Sequence, residues 1–154
     1  MESTELEYVG FWLRVWASII DTLLIALILA PLLTVVYGTG YWTREDAVTG
    51  PADFLISYVA PAIAVIAFWV ARQATPGKML ISARIVDAET GDIPTTAQMI
   101  GRYMGYFVSM IPFFMGILWV AFDRRKQGWH DKLAGTVVVR PKRQGVQPVS
   151  FTKG

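Results

Sequence analysis

The chain has 154 residues, of which 54% are hydrophobic and 17% are charged, and its net charge is +2. The hydrophobic share is high for a soluble protein, and three long stretches are nearly free of charge, so the pattern favours a single-domain membrane protein. The absence of cysteine excludes disulfides, thiolate metal sites and cysteine nucleophiles, and the single histidine offers little for acid–base chemistry. The sequence therefore predicts no enzyme, no metal site and no cofactor.

The first apolar segment covers residues 15–37 and is interrupted by Asp21 and Pro31. It exceeds the roughly 20 residues that a helix needs to cross the hydrocarbon core, so it predicts a first transmembrane helix. Residues 1–9 are interpreted as an amino-terminal tail, and they carry three glutamates where a secretory signal would carry positive charge. We therefore expect the first helix to be retained.

A second uncharged segment covers residues 54–71 and ends at Arg72, which predicts a second transmembrane helix. The loop before it contains a single arginine, as is typical of the non-cytoplasmic face. The loop after it begins with the turn-forming pair Pro76 and Gly77. Lys78 follows this pair and is interpreted as a cation anchored at the membrane interface.

Two short runs of β-branched residues predict a small β element outside the bilayer. One run covers residues 81–86, and the other covers residues 136–140 and is followed directly by proline. We expect these two strands to pair with each other. Paired strands must lie on the same side of the membrane.

A third uncharged stretch covers residues 103–122 and is long enough to span a bilayer. Two interpretations stay open. A third crossing would separate the two predicted strands, whereas a break near Pro112 would give a re-entrant hairpin that returns to the same side. Charge favours the hairpin, because it collects Arg72, Arg84 and the basic carboxyl-terminal region on one face. The predicted fold is thus an all-α membrane protein with two firm transmembrane helices, this third segment and a small β element.

Eight of the fourteen Lys and Arg residues follow Asp123: Arg124, Arg125, Lys126, Lys132, Arg140, Lys142, Arg143 and Lys153. This basic block begins where the third apolar stretch ends, which is typical of cytoplasmic anchoring charges and not of a nucleic-acid-binding tail. We therefore expect a multi-pass protein of the cell inner membrane with both termini in the cytoplasm and no nucleic-acid partner. Residues 141–154 are predicted to form a disordered basic tail.

Arg14 and Asp21 are the charged residues of the first predicted helix. They are seven residues apart, so they share a helix face at a separation of about 10 Å along the axis. An isolated carboxylate within a membrane helix costs on the order of 2.5–3.5 kcal/mol, so the charge of Asp21 requires compensation. The options are protonation, pairing with Arg102 or with Arg14 through a neighbour, or coordination of an inorganic cation.

Four ordered motifs carry a family resemblance. They are GFWLRVWASIID at residues 10–21, TPGKMLISARIVDAETGDIPT at 75–95, RYMGYF at 102–107 and FDRRKQGWHDKLAGTVVV at 122–139. Together they resemble the RDD family of small integral membrane proteins, over a domain that covers about residues 10–140. The resemblance implies that the family arginine is Arg14 and the first family aspartate is Asp21, while the second is either Asp123 or Asp131.

The resemblance also implies two classes of function, since cation/proton antiport is ascribed to some members and accessory or assembly roles to others. The first hypothesis is cation/proton exchange at Asp21. The alternative is a non-catalytic membrane scaffold or assembly factor whose ion-pair network is structural. The candidate ion or proton site residues are Arg14, Asp21, Arg102, Asp123 and Asp131.

The two hypotheses place different demands on Asp21. Exchange requires a carboxylate that water can reach and that changes its protonation or ligand, whereas a scaffold requires a permanently paired one. The expected partners are the lipid bilayer, monovalent cations and protons, and a second copy of the chain through Gly101 and Gly105, whose spacing permits close helix approach. His130 and Asp131 are expected to bond backbone groups in a turn.

Overall fold

A computed structural model describes residues 5–142 of the chain. The fold is that of an all-α membrane protein with a small β element, as predicted. The elements in chain order are β1 (Leu6–Tyr8), α1 (Phe11–Tyr37), α2 (Pro51–Phe54), α3 (Ala60–Arg72), α4 (Pro76–Leu80), β2 (Arg84–Asp87), α5 (Thr96–Met110), α6 (Met115–Leu118), α7 (Trp129–Ala134) and β3 (Thr136–Pro141). The predicted tail over residues 141–154 lies outside the described residues except for its first two positions.

Two helical stretches are long and apolar enough to cross a membrane. The first is α1, whose 27 residues extend about 40 Å and which begins four residues earlier than the predicted start at residue 15. Its large apolar side chains face outward, with Leu27 74% and Val35 84% exposed. Such an apolar exterior is stable only in contact with lipid.

The second spanning stretch runs from Pro51 to Leu80 and combines α2, α3 and α4. A single π-helical turn, Leu55–Val59, precedes Pro61, which lies at the start of α3. Proline cannot donate a backbone hydrogen bond, and a π-turn is one way for a helix to accommodate it. The α-helical geometry ends at Arg72, because Gln73 adopts a left-handed conformation with φ of 56°.

The third apolar segment is bent sharply. Its first half is α5, which begins with a capping box between Thr95 and Gln98. Between Met110 and Met115 the chain turns by 112° into α6 and a following 3₁₀ turn. The predicted break near Pro112 is thus confirmed.

The three strands form one antiparallel sheet in the order β1-β3-β2. The predicted pairing of the two β-branched runs is confirmed, with Arg84 opposite Val139 and Asp87 opposite Thr136. The first of these strands covers Arg84–Asp87 and not residues 81–86, because the preceding residues form a turn in which Ser82 has a φ of 57°. The sheet joins the strands before and after the third segment, so the segment begins and ends on the same side and does not form a continuous third crossing.

Nothing in the sequence analysis predicts β1, which pairs with β3 from Leu6↔Pro141 to Tyr8↔Val139. It lies within the segment interpreted as an amino-terminal tail. A three-residue strand is too short to show the alternation that identifies strands in a sequence. With β1 in place, β3 becomes the central strand of the sheet, and its residues are buried up to Val139.

The main core cluster lies where the sheet meets the ends of the helices. It consists of Val9, Trp69, Ala83, Ile85, Met99 and Val138, all at most 3% exposed. The α1–α3 region farther from the sheet contributes only Leu33 of α1 to the buried hydrophobic residues. The densest packing, and the buried polar groups described next, are therefore at the sheet end of the helices.

Candidate functional site

Asp131 is the most buried carboxylate of the described residues and is 0% exposed. It occupies the first turn of α7, where its Oδ2 accepts a hydrogen bond from the backbone N–H of Gly128 at 2.9 Å. A carboxylate in this position satisfies a free N–H group and interacts favourably with the helix dipole. The expected bond from Asp131 to a backbone group is present, but the residues form the start of a short buried helix and not a turn.

Two arginines from distant parts of the chain pair with Asp131. Arg14 of α1 donates from Nη1 to Asp131 Oδ2 at 2.6 Å, and Arg102 of α5 donates from Nη1 to Oδ1. Arg14 also donates from Nε to the Val9 carbonyl at 3.1 Å and from Nη2 to the Lys126 carbonyl at 2.5 Å. The network therefore ties α1, α5 and α7 together through charge-assisted hydrogen bonds.

Arg102 is 0% exposed and has two kinds of neighbour. Besides Asp131, its Nη1 donates to Thr136 Oγ1 at 2.9 Å. Its guanidinium lies 5.4 Å from the ring centre of Trp69 and 5.8 Å from that of Tyr106. Within residues 5–142 its Nε and Nη2 have no acceptor. Cation–π contact with the two rings is the compensation that the structure offers for these nitrogens.

His130 packs beside this network. Its ring stacks on Tyr106 with centroids 3.9 Å apart, and its backbone N–H donates to Ser109 Oγ at 3.1 Å. Gly105 makes the contact possible, because a Cβ there would lie 2.9 Å from the His130 Cα. Burial, followed by the positive charges of three nearby residues, holds the pKa of His130 far below its ordinary value, so the ring is neutral.

Asp21 is half-buried and has different partners from those predicted. Its Oδ2 accepts from Thr75 Oγ1 at 2.5 Å, and its Oδ1 accepts from the backbone N–H of Gly77 at 2.7 Å. Both donors belong to the start of α4. In the described part of the chain no Arg or Lys nitrogen lies within 4 Å of Asp21, so the structure does not bring it together with Arg14 or Arg102.

The contact between α1 and α4 is unusually close. A Cβ on Gly77 would collide with the backbone carbonyl of Ala17, one turn before Asp21. Glycine therefore allows the α4 backbone to reach the Asp21 carboxylate. The charge of Asp21 is compensated by a hydroxyl and a backbone N–H, which the sequence analysis did not include among its options.

Asp123 lies apart from Asp21 and Asp131. It pairs with Lys132 Nζ at 2.7 Å and accepts the backbone N–H groups of Arg125 and Gln127. Partial burial opposes ionisation, yet these hydrogen bonds hold the pKa of Asp123 below its ordinary value. The Lys132 side chain is 44% exposed, so this is a surface ion pair that stabilises a loop.

The RDD family model matches residues 8–135. The chain belongs to the RDD family. The matched residues include the two arginines and both aspartates of the networks described above, together with the α4 donors of Asp21.

Three relatives were found. Protein RP437 of Rickettsia prowazekii is 41% identical over 75 residues, which cover 49% of this chain and 41% of RP437. YxaI of Bacillus subtilis is 29% identical over 147 residues, covering 84% of this chain and 95% of YxaI. YteJ of the same organism, named as a membrane protein, is 30% identical over 144 residues, covering 88% of this chain and 82% of YteJ. No solved structure matches the chain.

Family membership and the apolar helices together make the chain an integral membrane protein. Of the two candidates for the second family aspartate, Asp131 contacts Arg14, whereas Asp123 pairs with Lys132. The structure therefore joins one of the two candidates to Arg14. It groups three of the five candidate site residues into one network and leaves Asp21 and Asp123 in sites of their own.

Some participants were not identified as site residues from the sequence. Thr75 and Gly77 supply donors and Thr136 supplies an acceptor, but nothing local marks them as partners of residues that lie tens of positions away. Lys78 was expected at the interface and is instead buried, at 6% exposure. Tyr106 of the third segment also takes part, because its ring stacks on His130 beside the charged network.

Proposed function

We propose that this RDD protein is a non-transporting membrane scaffold, in which buried polar contacts hold the sheet and α7 against the ends of the membrane helices. One observation carries the proposal: Asp21 and Asp131 both serve as acceptors that join separate segments. Asp131 joins α7 to α1 and α5, and Asp21 joins α1 to α4. Neither carboxylate depends on a ligand from solution for its hydrogen bonds.

The energetics support a structural role for the Asp131 network. A buried ion pair is very costly to break, because the remaining charge is left without a partner in a medium of low polarity. Arg14 and Arg102 would both lose their carboxylate if Asp131 moved. A group under this constraint is suited to fixing one arrangement of helices, and poorly suited to releasing and rebinding a cation.

The test measures both the free energy of unfolding and proton flux. Purified wild type, Asp21→Asn and Thr75→Val would be reconstituted into liposomes, and proton flux would be followed under imposed Na⁺, K⁺ and Li⁺ gradients. We expect no coupled flux from folded wild type and a lower unfolding free energy in both variants. Flux in wild type that is lost in a well-folded Asp21→Asn variant would contradict the scaffold.

Cation/proton exchange is the second candidate, and one observation favours it. Asp21 is half-buried and lines a cavity of about 340 Å³, so its carboxylate is near space that an ion and water could enter. Thr75→Val separates the two functions because it removes a hydroxyl donor and keeps the carboxylate. Under exchange this variant retains flux that Asp21→Asn lacks, whereas under the scaffold neither variant differs from wild type in flux.

We also propose that the sheet faces the cytoplasm across the cell inner membrane. The loop between α1 and α2 carries Arg44 beside two acidic residues, while Arg84, Arg124 and Arg125 lie at the sheet end. The chain has no cysteine, so Glu45→Cys and Glu89→Cys would each provide one thiol for labelling. An impermeant maleimide applied from outside should react at position 45 only. Reaction at position 89 from outside would show that the orientation is opposite to the proposed one.

A further inference from the structure

A cavity of about 340 Å³ lies between α1, α3, α4 and α5. This is the cavity that Asp21 lines, and the rest of its polar lining includes Lys78 and the hydroxyls of Ser18 and Thr22. Its apolar lining includes Ile25, Val65 and Phe107. Ser18, Thr22 and Phe107 are exposed, so the cavity opens on the outer surface of the helices. On membrane helices that surface faces lipid.

Lys78 is the polar group that distinguishes this cavity. Its side chain is 6% exposed and lines the cavity, yet its Nζ forms no hydrogen bond with residues 5–142. A lysine ammonium carries three donors and no acceptor. Lys78 therefore presents donors to the cavity that no described residue accepts, which makes this part of the lining complementary to an oxyanion.

The balance of charges near the cavity also favours an anionic ligand. Lys78 is within Coulombic range of Arg14, Arg102 and Asp21. With Asp131, the region contains three cations and two carboxylates, which leaves one positive charge in excess. Asp131 is shared by the two arginines, and both oxygens of Asp21 are engaged by α4. No described carboxylate is therefore committed to Lys78.

We propose that this cavity binds a membrane amphiphile with an anionic headgroup, either the carboxylate of a fatty acid or the phosphate of an acidic phospholipid. Lys78 binds the oxyanion, with Ser18 and Thr22 as additional hydroxyl donors, and the acyl chain leaves along Ile25 and Phe107 toward the bilayer. The volume lies within the range of small-molecule sites. The inference does not rest on the scaffold proposal. It does bear on the second candidate, because a lipid bound in this cavity would fill the space beside Asp21 that exchange requires.

The experiment uses the full-length protein in a maltoside detergent and four probes: oleate, phosphatidylglycerol, methyl oleate and inorganic phosphate. Binding would be followed by native mass spectrometry and by the shift in melting temperature. We expect oleate or phosphatidylglycerol to bind at least about tenfold more tightly than methyl oleate and inorganic phosphate, because only the first two combine an anion with a chain. Whichever of oleate and phosphatidylglycerol binds with the higher affinity identifies the source of the headgroup.

Two variants test the residue assignment. Lys78→Met should weaken binding of the anionic amphiphile about tenfold or more. Arg72→Gln is the matched control, because it removes an exposed cation six residues away that does not line the cavity, and it should bind as wild type does. Equal binding by Lys78→Met would overturn the proposal. If Lys78→Met does not fold, the wild-type protein decides the question. The proposal is overturned if wild type binds methyl oleate as tightly as oleate, or if it binds neither anionic amphiphile.

Discussion

Asp21 and Asp131 have one feature in common and differ in another. Each accepts a backbone N–H near the start of a short helix, Asp131 from Gly128 and Asp21 from Gly77. Asp131 is completely buried and bound by two guanidinium groups. Asp21 is half-buried, and its second donor is the neutral hydroxyl of Thr75.

The difference shows how burial sets the compensation that a carboxylate needs. A fully buried carboxylate is stable when opposite charge and hydrogen bonds replace the water that it has lost. A carboxylate that retains some exposure can be held by dipoles alone, because part of its charge is still screened. The Asp131 site should therefore be the more rigid and the more easily destroyed of the two.

Asp131→Asn should cause the largest loss of stability. The variant keeps the shape of the side chain but removes the negative charge, so Arg14 and Arg102 would be buried without a counterion. We expect the free energy of unfolding to fall by about 3–5 kcal/mol, measured by chemical denaturation in detergent.

Asp123→Asn is the matched control for that change. It also converts an ion-paired aspartate to asparagine, but its partner Lys132 is 44% exposed. A pair of this kind contributes up to about 1 kcal/mol. Equal losses in the two variants would show that burial does not distinguish the Asp131 network from an ordinary surface pair.

The sequence predicted more of the fold than of the site. Length and apolar content determine the two spanning helices, and the requirement to pair β2 with β3 determines the return of the third segment near Pro112. These features depend on composition along one segment or on a single long-range pairing. The strand β1 was missed because three residues carry too little pattern.

The site illustrates the limit of sequence reasoning. Arg14, Arg102 and Asp131 were each identified as candidates, yet the option of pairing Asp21 with Arg102, or with Arg14 through a neighbour, is not what the structure shows. Arg14 instead meets a residue 117 positions away, through an approach set by the packing of α1, α5 and α7. Helical spacing shows which side chains share a face, but it cannot identify what packs against that face.

Gly77→Ala probes the Asp21 site and should have the second largest effect. The added methyl group would collide with the Ala17 carbonyl and separate α4 from α1, which weakens both hydrogen bonds to Asp21. We expect a loss of about 2 kcal/mol in unfolding free energy, as is typical of overpacked contacts.

Gly101→Ala provides the control, since a methyl group there meets no atom within 4 Å. In the interior of α5 this change should be neutral or stabilise the protein by up to about 1 kcal/mol, through helix propensity alone. A Gly77→Ala variant as stable as Gly101→Ala would mean that the close α1–α4 contact does not hold Asp21.

The smallest expected effect is a dependence of stability on pH. It arises at His130, which packs beside the Asp131 network. His130 is the only histidine of the chain, and burial and neighbouring cations hold its pKa far below the ordinary 6.5. The unfolded chain therefore takes up a proton as the pH falls below about 6.5, while the folded protein does not, so stability decreases with falling pH.

His130→Phe should remove this dependence, because phenylalanine keeps a ring against Tyr106 and does not titrate. Between pH 7.5 and pH 5.5 we expect wild type to lose about 1.4 kcal/mol of unfolding free energy relative to the variant. The absolute stabilities can differ, since the comparison uses only the two slopes. Identical slopes would mean that His130 is protonated as readily in the folded protein as in the unfolded chain, so that neither burial nor the neighbouring cations lower its pKa.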